Sequence, residues 1–239
     1  MIEKHLMKLR IRDAISAEEE AALAAAAGDV VRYAADQTFV TAGQELGNST
    51  LLLEGLICRY KDLSDGQRQI TALHVPGDFP DLHSFTLKYL DHNIMALTPC
   101  TVVQFPHARL QSITEQHPHL TRMLWFMTNL DAAIHREWEV SLGRRSALER
   151  TAHLLCELHV RLSVVGLASD REYALPITQT DLAECLGLTS VHVNRVLKDL
   201  RERGLVEFRG GKVVIGDLAE LRRAGEFDPA YLYLERRPR

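Results

Sequence analysis

The sequence lacks most of the features that would place a protein quickly. It has only four cysteines in 239 residues, Cys58, Cys100, Cys156 and Cys185, and no CxxC pair. That spacing excludes a zinc finger and a thioredoxin-like motif, and no metal site is expected from it. It fits a reducing compartment better than a disulfide framework. No apolar run approaches the roughly 20 residues of a membrane span, so no membrane partner is expected. The first residues, Met1 to Asp13, are charged and lack the apolar stretch of a secretory signal, which points to the cytoplasm. The strand–helix–strand rhythm of a parallel α/β sheet is missing as well. What remains is an ordinary globular mix, 46% apolar and 25% charged, neither disordered nor collagen-like. The length suits one large domain or two small ones.

Charge is nearly balanced at −4, which taken alone argues weakly against nucleic acid. The balance is uneven along the chain. Residues 1–143 carry 12 basic and 18 acidic side chains, whereas residues 144–239 carry 16 basic and 14 acidic ones. A boundary between the halves is therefore expected.

Ala17 to Ala27 is alanine-rich with a glutamate cluster and reads as a short helix. From Val30 to His107 short β-prone runs alternate with turn signals. The runs are Thr38–Val40, Thr50–Leu53, Ile57–Tyr60, Gln69–Val75 and Met95–Phe105, with Asp65-Gly66 suited to a hairpin turn. Short strands at this spacing predict a small sandwich or barrel. After Pro106 the texture becomes helical. Glu115 to Leu142 contains no proline after Pro118, and no glycine. Leu120, Leu124, Met127, Leu130, Ile134 and Trp138 form a stripe at steps of three and four along it. Such a helix is about 40 Å long. The stripe reads as a coiled-coil-like dimerisation seam, or as one face of a core helix packed on its own barrel. Gly143-Arg144-Arg145 breaks the helix, Ala147 to Val165 resumes it, and Gly166 to Glu172 reads as a polar loop.

Residues 178–215 say most about function. Thr178-Gln179-Thr180-Asp181 resembles a capping box ahead of a short helix, Asp181 to Leu186. Gly187-Leu188 turns the chain, Thr189 is a second N-cap, and a longer helix runs from Ser190 to Arg203. Two short helices joined by a glycine turn make a helix-turn-helix. In the second helix Val193, Val196, Leu197 and Leu200 face a core. Ser190, Val191, Asn194, Arg195 and Lys198 lie opposite, on a face without acid, with Asp199 and Glu202 off it. That division suits a recognition helix in a major groove. Arginine can clamp guanine and asparagine can clamp adenine, and Val191 suits a thymine methyl or is simply exposed. Thr178, Gln179, Thr189 and His192 complete the candidate DNA-binding set at the two helix starts. Val206 to Ile215 reads as a hairpin with a Gly210-Gly211 turn flanked by Arg209 and Lys212, a basic-tipped wing for phosphates.

These residues, in this order, resemble the Crp/Fnr family of bacterial transcription regulators. In the N-terminal part, Glu54-Gly55 and Pro76-Gly77-Asp78-Phe79 are similar to the family's glycine turns. In the C-terminal part, Leu182-Ala183, Gly187-Leu188-Thr189 and Val193-Asn194-Arg195-Val196-Leu197 are similar to its helix-turn-helix signature. The resemblance implies an α+β chain. It places an antiparallel, cupin-like jelly-roll β-roll sensing domain at 1–114, a dimerisation helix at 115–143 and a winged helix-turn-helix at 144–239. It implies a homodimer on a palindromic double-stranded operator, with RNA polymerase as a partner if the protein activates, and no enzymatic activity.

The departures bear on the effector. Members that bind cyclic nucleotides carry a glutamate after the glycine turn and an Arg-Ser pair further on. Here those positions read Asp81-Leu82 and Leu90-Asp91-His92-Asn93, and no arginine occurs between Arg68 and Arg109. Cyclic AMP is therefore not expected through the usual contacts, because Asp91 would repel a phosphate. The N-terminal cysteine cluster of iron–sulfur relatives is absent too. The candidate effector pocket is Asp81, Leu82, His83, Asp91, His92 and Asn93. Haem at its histidines is an alternative to surface or core histidines. A cupin-like metalloenzyme and a cyclic-nucleotide signalling module are the competing readings. The roll contains no His-x-His, which a metal cupin would want. Val191 stands where relatives carry a glutamate, and Arg195 is retained. The site is therefore expected to keep a guanine contact and differ at the neighbouring pair.

Overall fold

The computed structural model describes residues Met1–Arg237. They divide into two compact units. One comprises residues 1–61, 72–133 and the final segment from 233. The other comprises 62–71 and 134–232. The long helix is thus not a unit of its own, as the boundaries at 115 and 143 would have it. It contributes its first half to one unit and its second half to the other.

The first unit starts with two helices, α1 (Glu3–Arg12) and α2 (Ala17–Ala26). The α2 helix begins at a reciprocal capping box between Ser16 and Glu19. The α1 helix was not expected, because its charged residues mask a stripe of Ile2, Leu6 and Leu9 that is buried. Gly77 explains how closely α1 lies on the roll. Its φ is +91°, and a Cβ there would stand 2.8 Å from the Lys4 carbonyl. His5 Nδ1 meets Gly77 O at 2.9 Å, and burial drives the His5 pKa down to about 4.

Seven strands follow: β1 (Val30–Tyr33), β2 (Gln37–Val40), β3 (Asn48–Glu54), β4 (Ile57–Asp62), β5 (Arg68–His74), β6 (Asn93–Ala96) and β7 (Cys100–Pro106). They form two sheets, ordered β1-β7-β3 and β2-β6-β4-β5. The run Met95–Phe105 is two strands separated by a turn. A short helix, α3 (Ser84–Leu87), interrupts the strands after the Gly77 turn. Leu52, Ile57, Ile94, Ala96 and Val102 fill one cluster of the core. A second cluster joins Leu51, Phe79, Val103 and Phe105 to the helices.

The helical texture begins directly after Pro106, as expected, but in two helices rather than one. The α4 helix (His107–Gln116) ends at His117, and Pro118 opens α5 (Pro118–Arg144). Proline suits a first helical position but cannot continue a helix, so the chain breaks there. Leu120, Leu124 and Met127 are buried in the core of the first unit, and Leu130 packs against it. Ile134 and Trp138 are buried further along. The stripe expected as a dimer seam is therefore covered by the chain itself. The segment from Tyr233 returns to the first unit, where Arg12 Nη1 donates to Glu235 O at 3.1 Å.

The second unit contains α6 (Ala147–Val164), β8 (Glu172–Ala174), α7 (Gln179–Leu186), α8 (Ser190–Glu202), β9 (Val206–Arg209), β10 (Lys212–Ile215) and α9 (Leu218–Ala224). The polar loop at Gly166 ends one residue earlier than expected, and Glu172 starts a strand that pairs with β10. Glu157 on α6 is fully buried and fully engaged. It accepts from Trp138 Nε1 at 3.2 Å, Tyr231 Oη at 2.8 Å and Arg161 Nη1 at 2.8 Å. These bonds fix the end of α5, α6 and the turn Pro229–Leu232 to one another. Glu157→Ala leaves an arginine, the buried Trp138 donor and the half-buried Tyr231 donor without that partner. It should destabilise the second unit by about 3–5 kcal/mol in chemical denaturation, with a red shift of Trp138 emission.

Candidate nucleic-acid interface

The α7 and α8 helices are each set by a side-chain cap. Thr178 Oγ1 accepts from Asp181 N at 3.1 Å, and Asp181 Oδ2 accepts from Thr178 N at 2.7 Å. With Thr178 as N-cap, α7 starts at Gln179 rather than Asp181. Thr189 Oγ1 accepts from His192 N at 3.2 Å, which starts α8 at Ser190. Each such cap stabilises its helix by about 1 kcal/mol. Between them Gly187 closes α7 with φ +60°, a conformation that costs other residues energy.

One face of α8 is held and the other is bare. Val193, Val196, Leu197 and Leu200 are buried. Burying each is worth about 1.5–3 kcal/mol, so the rotation of α8 about its axis is firmly set. Val191, His192, Asn194, Arg195 and Lys198 are exposed. Among the described residues Asn194 and Arg195 have no hydrogen-bond or ionic partner, so their donors are free for a ligand. Lys198 is not as free as expected, because Glu202 lies 3.7 Å away on the same side. Ser190 Oγ lies 3.5 Å from Thr180 Oγ1 and ties the starts of the two helices together. Thr180, exposed beside Gln179, belongs to this surface. Its place in the first turn of α7 was the available signal.

The wing forms as expected. The β9 and β10 strands pair from Val206–Ile215 to Arg209–Lys212, and Gly210 and Gly211 take φ of +62° and +73° at the tip. Both wing cations are exposed, but they differ. Lys212 Nζ is 2.8 Å from Glu172 Oε2 on β8, whereas Arg209 has no partner among the described residues. In the sequence Glu172 reads as the end of a polar loop, and only the strand pairing with β10 brings it to Lys212.

The six residues expected around an effector fall into two groups. Asp81 is buried, accepts from Thr50 N at 2.5 Å, and has its pKa pushed up to about 7 by burial. Leu82 is buried and His83 half-buried. The His83 ring lies 5.6 Å from that of His92, which brings the two groups together. Asp91 is exposed, held by Lys61 at 2.7 Å and by His92 at 2.9 Å, and these two keep its carboxyl well below the usual range. Asn93 Oδ1 accepts from Ala42 N. This set itself holds two carboxyls and no arginine, and Arg59 lies buried near Asp81.

Two family models match the chain. One is the Crp-like helix-turn-helix domain over residues 149–224, and the other is the cyclic nucleotide-binding domain over residues 30–117. The nitrogen fixation regulation protein FixK of Bradyrhizobium diazoefficiens is 33% identical over 175 residues, covering 71% of this chain and 70% of FixK. The chain belongs to the Crp/Fnr family. The transcriptional activator protein FnrL of Cereibacter sphaeroides is 29% identical, covering 79% of this chain and 77% of FnrL. The solved structure of FixK2 from Bradyrhizobium japonicum superposes with a TM-score of 0.75 at 28% identity, covering 83% of this chain and 96% of that one. This Crp/Fnr chain is a DNA-binding transcription regulator rather than an enzyme. Among the described residues no helix is long and apolar enough to cross a membrane. The family member's free Arg195 is its clearest base-reading candidate. Arg195→Ala should weaken specific operator binding by about 1–3 kcal/mol and relax the preference at one base pair, read by binding to a library of operator variants.

Proposed function

We propose that the protein is a homodimeric cytoplasmic regulator that reads a palindromic operator through α8. The carrying observation is the bare polar face of α8, with Arg195 and Asn194 unpaired above four buried anchors. One such helix offers few phosphate contacts, and two placed about 34 Å apart would enter successive major grooves. The basic excess around α8 is small, so specific contacts from both copies supply most of the affinity. RNA polymerase is a partner in this reading if the protein activates. Cyclic AMP and an iron–sulfur centre are not part of it, and the six roll residues retain a sensing role for another signal.

The dimer surface in this reading lies on the side of α5 away from the buried stripe. Asn129, Ala132, Arg136 and Val140 are exposed at steps of three and four, with Trp125 at the N-terminal end of the row. Ala132 allows close approach of a second helix. Ala132→Glu should give monomers in sedimentation, with a melting temperature that no longer depends on protein concentration and is lowered only by the lost association. Met127→Glu should lower the melting temperature even at concentrations where the parent is monomeric, because Met127 is a core residue of the first unit.

The wing contributes through phosphates. Arg209→Ala should weaken binding across all sequences and flatten the salt dependence of the binding constant by about one ion. Lys212→Ala should change that slope less, because Glu172 already neutralises the lysine. Slopes for both variants are read from operator titrations at several salt concentrations.

A further inference from the structure

The chain's one His-x-His, His117-Pro118-His119, lies where α4 gives way to α5, and the DNA reading makes no use of it. Pro118 opens α5, so His119 stands in its first turn. Its ring reaches two carboxylates on different parts of the N-terminal helices. His119 Nδ1 lies 2.6 Å from Glu19 Oε1 on α2, and Nε2 lies 3.3 Å from Asp13 Oδ2 at the end of α1. Asp13 is only 6% exposed. Both carboxylates have second tasks. Glu19 Oε2 accepts from Ser16 N at 2.9 Å and so completes the cap of α2. Asp13 Oδ1 accepts from Ala14 N at 2.7 Å where α1 ends. One ring thus meets the end of α1, the start of α2 and the start of α5.

A neutral imidazole carries one N–H and a protonated one carries two. Both contacts are hydrogen bonds only when the ring is charged. A neutral ring keeps one of them and turns a lone pair towards the other carboxylate. The N-terminal end of a helix disfavours a cation, so the charge here depends on the carboxylates. Glu19 first, and then Asp13, raise the His119 pKa above its ordinary 6.5, although partial burial opposes them. The other charged groups on the surrounding elements are engaged elsewhere or face solvent. On α1, Lys8 meets Asp78, Arg10 pairs with Glu3 and Glu20, and Arg12 lies over Phe126 and donates to Glu235 O. On α4, Arg109 donates to Ala27 O and Glu115 accepts from Gln111. Arg237 of the final segment pairs with Glu235. Glu18 and Arg122 are exposed, and His117 is half-buried. The two carboxylates sit at opposite ring nitrogens, so they do not converge on one metal ion.

We propose that His119 is a proton-operated clamp, which fastens the junction of α1 and α2 to the start of α5 when charged and loosens it when neutral. The junction matters because of what these helices cover. They bury Leu6, Leu9 and Leu23 in the same core cluster as Leu120 and Leu124 of α5. A histidine whose folded pKa is raised adds stability that is full below its ordinary 6.5 and is lost as the pH rises through the higher folded value. The clamp is therefore shut at mildly acidic pH and opens towards alkaline pH. It does not depend on how α8 reads DNA.

The test uses the full chain with isotope-labelled histidine and follows the ring resonances against pH by NMR. The signal missing from His119→Gln is that of His119, and His119→Asn serves if the glutamine variant does not fold. In the parent this signal should titrate above the ordinary histidine value. In Glu19→Gln it should titrate lower, because glutamine keeps the cap of α2 but carries no charge. Hydrogen exchange reads the clamp itself. Protection of the amides from Asp13 to Leu23 should fall as the pH is raised through the His119 titration. In the His119 variant it should be low and lack that step. Asp81 titrates at about 7 as well, so a change shared by parent and variant belongs to it. His5, with its pKa at about 4, stays neutral throughout. The proposal is overturned if His119 titrates at or below its ordinary value, or if Glu19→Gln leaves its titration unmoved. It is also overturned if protection follows the same pH course in parent and His119 variant. Neither readout uses DNA, so the clamp and the DNA reading stand or fall separately.

Discussion

A helix can bury a given side chain only once, and this constraint governs what α5 can do. Its apolar stripe is the most conspicuous periodic signal in the chain, and it is occupied internally from Leu120 to Trp138. The first half of the stripe completes the core of the roll unit, and the second half is buried in the unit that carries α8. The other side exposes Asn129, Ala132, Arg136 and Val140, with Trp125 at its N-terminal end. Burial makes the first half of α5 part of one unit and its second half part of the other. Glu157 reinforces this at the far end. A carboxylate removed from water is stable only with strong partners, and it takes Trp138 of α5 as one of them.

The recognition surface follows the same logic. Asn194 and Arg195 can stay unpaired in solution because the opposite face of α8 holds the helix without their help. Caps at Thr178 and Thr189, the left-handed Gly187 and the four buried anchors all specify the same pair of helices. Such agreement between local and global preferences lets a short segment hold one geometry. The open donors on its outer face are then ready for bases and cost little to order on binding.

This agreement also explains why the C-terminal unit was legible in the sequence and parts of the N-terminal unit were not. Helix caps, glycine turns and i, i+3, i+4 patterns are local signals, and Thr178 to Ile215 is built almost wholly from them. Strands β2 to β5 were readable from alternation and turns for the same reason. The misreadings come from non-local facts. The α1 helix is charged on its visible face, and its packing on Gly77 joins residues more than 70 positions apart. The strand at Glu172 exists because β10 pairs with it, and without that strand the neutralisation of Lys212 could not be foreseen. The stripe on α5 gave the right periodicity but could not say which surface covers it. Of the six residues assigned to an effector, the sequence could bring Asp81–His83 and Asp91–Asn93 near each other only through the resemblance. The contact of His83 with His92 depends on how α3 folds back.

Pairing also decides what the charge of the chain means. The excess of basic residues after position 144 is small, and much of it is neutralised within the fold. Arg203 is held by Asp199, Lys212 by Glu172, and Arg223 by Glu220. Surface pairs of this kind add little stability, but they lower the positive potential a passing duplex would meet. Arg195 and Arg209 are different, because nothing among the described residues competes for them. One stands on the exposed face of α8, and the other stands at the tip of the wing. In the proposed reading, weak attraction to DNA in general coexists with strong donors at two defined points, and a regulator so arranged discriminates sites by its few unpaired groups rather than by its net charge.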